Sequence, residues 1–274
     1  MAMRAGVDLG ASLHKVALAG DASLTDLELA TFPASDGDAA LALVAARAPE
    51  RVVVTGGPAP AAGAKIGAPA GVVSEFDAWA RGAARLAERA GTPLDEPYLL
   101  VSLGTGTSIL LVGDGTATRI AGTALGGGTL VGLGELLLGV ARFDRLVELA
   151  AAGSRRDVDL LLGDVYPGIS VPDFTAAHFG KVRSRRPEDV AHALVGLVAE
   201  NVALMTAAHA LARGVSCVVY GGSPLHDNPP LCNVLTTMTG YFGLRIVVLA
   251  AGAYCGAVGC LSIAFDPEGP SGVR

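Results

Sequence analysis

Asp8 is the first residue whose type and neighbours suggest chemistry. It lies in Val7–Ser12, VDLGAS, and a near copy of that stretch recurs as Val101–Ser108, VSLGTGTS. Each copy runs apolar, polar, Leu, Gly, then small or hydroxyl residues. Each leads into a second apolar run, Lys15–Leu18 (KVAL) and Ile109–Val112 (ILLV). Both therefore read as β-hairpins with a tight glycine turn. Backbone N–H groups in such a turn approach a ligand closely, and successive ones form a concavity for anions. A carboxylate two residues before the turn could hold Mg2+ beside phosphates cradled there. The plainer alternative is a surface carboxylate on a strand. Lys15 could neutralise phosphate charge, or it could simply be solvated.

Thr105 and Thr107 flank Gly106 in the second turn and offer hydroxyls to a transferred phosphoryl group or an acceptor alcohol. Gly126–Gly127–Gly128–Thr129 precedes a helical stretch, where free N–H groups and the helix dipole favour an anion. A tight chain crossing would explain the same three glycines. Glu75, in SEFDA, is a candidate general base, because phosphoryl transfer to an alcohol needs a carboxylate near that hydroxyl. Physical chemistry alone reads Glu75 and Asp77 as acids at a helix start, which the dipole favours anyway. Arg119 could clamp a carboxylate or phosphate, or end a strand in solvent. His178 and His226 have no Cys or His at ligand spacing and read as structural.

The elements that must position these groups alternate between strand and helix. After the first hairpin come a polar link, a helix over Gly37–Arg47, and a strand over Arg51–Thr55 closing on Gly56–Gly57. A helix follows within Val72–Ala90, with Ser74 as its cap. Gly91–Pro97, GTPLDEP, is the best linker. Beyond the second hairpin, Leu130–Ala151 reads as one helix and Ala191–Ala212 as a long Ala-rich one. Cys217–Tyr220 is a strand ending at Gly221–Gly222–Ser223, and Tyr254 begins a further helix. This alternation implies α/β lobes. Two similar hairpins imply a duplicated fold with a phosphate between its halves.

With 51% hydrophobic and 17% charged residues among 274, the chain can bury an extensive core. A net charge of -6, with no basic stripe, argues against a nucleic-acid partner. Cys217, Cys232, Cys255 and Cys260 form no CxxC pair, so small buried thiols in a reducing compartment are expected. The start of the chain leaves no room for a signal-peptide core before Asp8. Ile246–Phe265 carries an uncharged run, but its Gly252, Gly256 and Gly259 fit a strand, a turn and a buried helix better than a membrane span.

Taken together, the motifs resemble the type II pantothenate kinases, which have the duplicated actin-like (ribonuclease H-like) fold of sugar kinases and Hsp70. GVDLGASLHK is similar to that family's GIDxGGTLxK, SEFDA to VEFDA, VSLGTGTSI to xxVGTGTSI, and RIAGTALGGGTLVGL to RxxGTxxGGGTxxGL. DFTAAHFGKV, GGSPLHDN and GAYCGAVGCL find counterparts in the same order. The resemblance spans essentially the whole chain. It implies an α/β two-lobed kinase with mixed sheets flanked by helices, an N-terminal lobe over 1–92 and a C-terminal lobe over 93–274. It also implies ATP- and Mg2+-dependent phosphorylation of the pantothenate primary hydroxyl, the first step of coenzyme A synthesis, by a homodimer; with the composition, the expectation is a cytoplasmic kinase with no nucleic-acid or membrane partner.

Carried over residue by residue, the resemblance makes Glu75 the base. Asp8, Leu9, Gly10, Ala11, Ser12, Leu13, His14 and Lys15 then line the ATP phosphates with Gly104 and Thr105, and Asp8 holds Mg2+, directly or through water. Gly127, Gly128, Thr129, Leu130 and Val131 form the glycine-rich helix start. Phe143, Gly222 and Ser223 lie by the nucleotide. Glu75, Thr105, Gly106, Thr107 and Arg119 face the acceptor. Ala11 stands where the family has a second loop glycine, which a negative φ accommodates. Ala250–Ala251 stands where the family commonly has an acidic or amide pair. Two rivals follow from these departures: a kinase for another pantothenate-like or small polar alcohol, and a catalytically silent nucleotide- or acyl-CoA-binding regulator.

Overall fold

The computed structural model describes residues 3–59 and 70–266. The chain divides into two compact units. The first comprises Met1–Ser102, Leu110–Ile120 and Leu249–Arg274, and the second Leu103–Ile109 and Ala121–Val248. The sequence places one border at 92–93, whereas this division returns the C-terminal segment to the first unit. The reason is packing that starts at β1.

In the first unit, β1 (Arg4–Leu9), β2 (Leu13–Ala19), β3 (Glu28–Pro33), β4 (Arg51–Thr55) and β5 (Ala70–Val72) form a sheet in the order β3-β2-β1-β4-β5. β1 is antiparallel to β2 and parallel to β4. Because side chains alternate along a strand, Ala5, Val7 and Leu9 join Val52 and Val54 on one face. There they pack with Ala40 and Val44 of α1 (Gly37–Arg47). Gly6, Asp8, Val53 and Thr55 belong to the other face. Val53 packs there with Val73, with Ala78 of α2 (Glu75–Arg89), and with Cys260, Ile263 and Ala264. The last three lie on α8 (Cys255–Phe265).

α2, α8 and β1 meet backbone to backbone. A Cβ on Gly259 would fall 1.7 Å from the Ala78 carbonyl oxygen, and one on Gly82 would fall 1.8 Å from that of Cys255. Only glycine permits so close an approach. The run expected as strand, turn and buried helix is β12 (Arg245–Val248), a 3-10 turn over Gly252–Tyr254, and α8, nine of whose residues are buried.

The second sheet has the strand order β12-β11-β6-β7-β8, with β6 at Tyr98–Leu103, β7 at Thr107–Gly113, β8 at Thr116–Thr123 and β11 at Cys217–Gly221. The second unit is built on α6 (Pro187–Arg213). This helix is long and apolar enough to cross a bilayer, but most of its apolar window is buried inside the fold. It packs against α4 (Phe143–Ala152) and α7 (Pro229–Tyr241), and against α3 (Gly127–Leu138). The single helix expected over Leu130–Ala151 is in fact two, α3 and α4. Gly139 caps α3 at φ 68°, a left-handed conformation that ends a helix.

His178, which reads as structural in sequence, sits in a buried ionic cluster. Arg155 Nη2 lies 2.5 Å from Glu200 Oε1 and Arg155 Nη1 lies 3.7 Å from Asp159 Oδ2. His178 Nδ1 stands 3.5 Å from Asp159 Oδ2. The cluster ties the small ribbon of β9 (Leu160–Leu161) and β10 (Thr175–Ala177), with α5 (Leu162–Val165) between them in the chain, to α6. All four cysteines are free thiols.

Candidate active site

In the first unit Asp8, Lys15 and Glu75 come together near the C-terminal ends of β1 and β4. Asp8 and Lys15 are direct cross-strand partners, as are Leu9 and His14, so Asp8 and Lys15 share a face. Asp8 is also the direct partner of Thr55 in the parallel register. The Asp8 side chain is 3% exposed. Burial pushes its pKa up to about 6, the Lys15 charge pulls it back, and the Glu75 charge raises it further. Lys15 and His14 are buried as well. Burial, helped by the Lys15 charge, holds the His14 pKa below its ordinary value.

Glu75 is the first residue of α2, exposed beside this buried group, with Asp77 in the same first turn. α8 closes the opposite side: a Cβ on Gly256 would lie 2.4 Å from Asp8 Oδ2. Burial and Asp8 together push the Cys255 thiol far above its usual range, which makes it inert. The turn Gly10–Ser12 joins β1 to β2, and its Ser12 carbonyl accepts a 2.9 Å bond from Ala34 N–H. Ala11 is exposed there and has no positive φ, which meets the condition for a methyl group at that position. Arg119 lies exposed on β8, within the same unit.

The second unit gathers the other glycine motifs. Gly104 N–H donates to the Gly106 carbonyl at 2.8 Å, closing the turn between β6 and β7. Gly127 N–H donates to Gly104 O at 2.8 Å and Gly128 N–H to Thr105 O at 3.0 Å. Gly126 N–H donates to Thr129 Oγ1 at 3.3 Å. The three glycines were expected to offer free N–H groups to an anion, and here they differ. Gly127 and Gly128 donate to the neighbouring turn and Gly126 to the Thr129 hydroxyl, and their missing side chains let that turn dock: a Cβ on Gly126 would be 2.7 Å from Thr105 O. The close approach is the tight crossing that the sequence also allows.

Thr107 is buried, and its hydroxyl donates to Leu125 O at 2.7 Å, so that proton braces the loop. Thr105 remains exposed at the turn. Leu130 is buried in α3, and Val131 is half-buried. Gly222, at φ 133°, passes so close to β6 that a Cβ would be 1.8 Å from Leu103 O, and it delivers Ser223 to a short 3-10 turn. Phe143 opens α4 beside a cleft of about 340 Å3 lined by residues 139–142, Asp144, Arg145 and Glu148, although its own ring is not in the lining. Sequence reasoning missed Thr55, whose only signal is a threonine ending a run of three valines.

Comparison with known proteins places this arrangement. A family model described as Fumble matches residues 83–263. The type II pantothenate kinase of Bacillus cereus (strain AH820) is 33% identical over 178 residues, which span 62% of this chain and 64% of that relative. The type II pantothenate kinase of Staphylococcus haemolyticus is 30% identical over 94% of this chain and 99% of its own length. Among solved structures, the activator of the 2-hydroxyisocaproyl-CoA dehydratase from Clostridium difficile with bound ADPNP is similar at a TM-score of 0.66. It is 16% identical, over 96% of this chain and 94% of that one. A ROK family glucokinase from Streptomyces griseus in complex with glucose and AMPPNP reaches 0.59 at 13% identity, over 96% and 99%. These likenesses show the actin-like ATPase fold. With the family model over most of its length and a full-length relative of equal span, the chain belongs to the Fumble, or type II pantothenate kinase, family.

Proposed function

We propose that this protein transfers the γ-phosphoryl group of ATP to the primary hydroxyl of pantothenate, the opening step of coenzyme A synthesis. The observation that carries the reading is Glu75, exposed at the first residue of α2 beside the buried Asp8–Lys15 pair. Glu75 accepts the hydroxyl proton as the alcohol oxygen attacks phosphorus, the new P–O bond forms, and the bond to the β-phosphate oxygen breaks, releasing ADP. Lys15 offsets charge on the phosphates, and Arg119 is the cation for the pantothenate carboxylate. The exposed Thr105 at the Gly104–Gly106 turn contributes to phosphate binding.

Asp8 fits a divalent cation. Burial and the charges of Lys15 and Glu75 act on its carboxylate, with no hydrogen bond donated to it among the described residues, which leaves hard oxygens for Mg2+. When bound, Mg2+ neutralises phosphate charge. The relatives' names and the nucleotide-bound fold neighbours support ATP as donor.

We take the chain to work in the cytoplasm as a homodimer. Leu136, Leu137, Leu204 and Leu211 on α3 and α6 are the exposed apolar side chains that a second copy would cover. The deciding experiment is a coupled ADP-release assay with ATP, Mg2+ and a panel of alcohols. Pantothenate is expected to turn over fastest. Faster turnover on another alcohol displaces it, and nucleotide binding without product from any acceptor favours a silent regulator.

A further inference from the structure

Thr55 ends β4 at a fully buried position where the three preceding residues are all valine. It lies on the α2–α8 face of the first sheet and is the direct partner of Asp8. Its Oγ1 donates a 3.0 Å hydrogen bond to the carbonyl of Val73, and two residues beyond Val73, Glu75 begins α2.

That bond does what the backbone there cannot. The β4–β5 ladder pairs Val54 with Val72, and Val73 N–H still reaches Val54 O at 3.1 Å. Beyond Thr55 the main chain turns away at Gly56, φ 100°, so no further strand residue can pair with the segment entering α2. The threonine side chain extends the pairing by one step. Ser74, at the N-cap, makes no side-chain capping bond that would do the same. A residue needed only to fill space would be another valine, which has the same shape without the hydroxyl.

We propose that Thr55 is a positioning residue. By holding Val73 it fixes the start of α2, and so sets where the Glu75 carboxylate stands relative to Asp8. This rests on Glu75 being the base.

The test uses the full chain with ATP, Mg2+ and pantothenate. Thr55→Val is expected to lower kcat on the order of 10–10²-fold, since small misplacements of a catalytic group carry such penalties. KM for ATP should move by less than about twofold. Thr55→Ser, which keeps the hydroxyl, should restore most of the turnover. In a Glu75→Gln background, Thr55→Val should remove nothing further, because its effect passes through that carboxylate. The proposal is overturned if Thr55→Val keeps the parent kcat, if Thr55→Ser is as impaired as Thr55→Val, or if the Thr55 and Glu75 losses multiply. Should Thr55→Val not fold by circular dichroism, Thr55→Ala is judged by the same outcomes. If Glu75→Gln alone keeps full turnover, the base assignment fails and this inference falls with it. An impaired Glu75→Gln beside an unimpaired Thr55→Val sinks the role of Thr55 alone.

Discussion

The charge of Glu75, exposed at the start of α2, reaches Asp8, buried at the end of β1, and raises its pKa. Two carboxylates thus sit near each other, one shielded from water and one open to it. Such a difference in surroundings lets identical groups behave differently.

Replacing Glu75 by Gln is expected to remove the proposed proton acceptor and leave the fold. Turnover should fall by about 10²–10⁴-fold, while calorimetric titration of ATP gives an unchanged affinity. Full turnover would move the base to another residue.

Asp8 makes stability depend on pH. Its folded pKa of about 6 lies above the ordinary 3.8, so the folded chain holds that proton more tightly than the unfolded chain. The ionised carboxylate therefore costs stability, fully above pH 6 and not at all below the unfolded value. Two units correspond to roughly 3 kcal/mol. The stability of Asp8→Asn relative to the parent should rise by about that amount between pH 4 and 7, read from urea midpoints, while its turnover is lost. In the parent, half-saturating Mg2+ should fall as pH rises toward 7 and then level off. A pH-independent difference between the two proteins would remove burial of Asp8 as the cause.

The two glycines Gly259 and Gly57 should respond in opposite ways to alanine. Gly259→Ala drives a methyl into the Ala78 carbonyl and should destabilise by upwards of about 3 kcal/mol. A Cβ on Gly57 meets nothing within 4 Å, so Gly57→Ala should stay within about 0.5 kcal/mol. Thermal melts of the pair decide this.

Arg155 is the cation between two buried carboxylates, Glu200 and Asp159. Arg155→Met should destabilise by about 3–5 kcal/mol, because a buried charge then lacks compensation. Adding Glu200→Gln to that variant should recover part of the loss. An additive further loss would show that the charges do not matter.

If a second copy covers α3, Leu136→Glu together with Leu137→Glu should turn a dimer into a monomer in sedimentation analysis. A dimer that persists in this variant places the contact elsewhere.

What could be read beforehand follows from how local each signal is. The hairpin at Asp8, the helix over Gly37–Arg47 and the strand over Arg51–Thr55 have their periodicity and turn residues within a few positions. The apparent helix over Leu130–Ala151 hid a break because Gly139 looks like any other glycine until its φ is known. β3 was lost in a polar link because its residues are only half-buried, which weakens their alternation. The glycines at 126–128 signalled an anion because sequence shows donors without showing that Gly104 and Thr105 accept from them. His178, Asp159 and Glu200 meet only through folding, so no spacing rule finds them. Glu75 stood out by family likeness, since in physical terms it is an ordinary acid at a helix start.

The glycine seams by which α8 joins β1 and α2 impose an order on biosynthesis. β1 leaves the ribosome about 250 residues ahead of its covering helix, a wait of roughly 10–50 s at ordinary synthesis rates. Through that interval the bare strand face at Gly6 has no native cover, so a nascent chain halted before Leu249 carries a stickier surface than the finished chain. Losing the tail would thus be felt first as aggregation, ahead of any defect in catalysis.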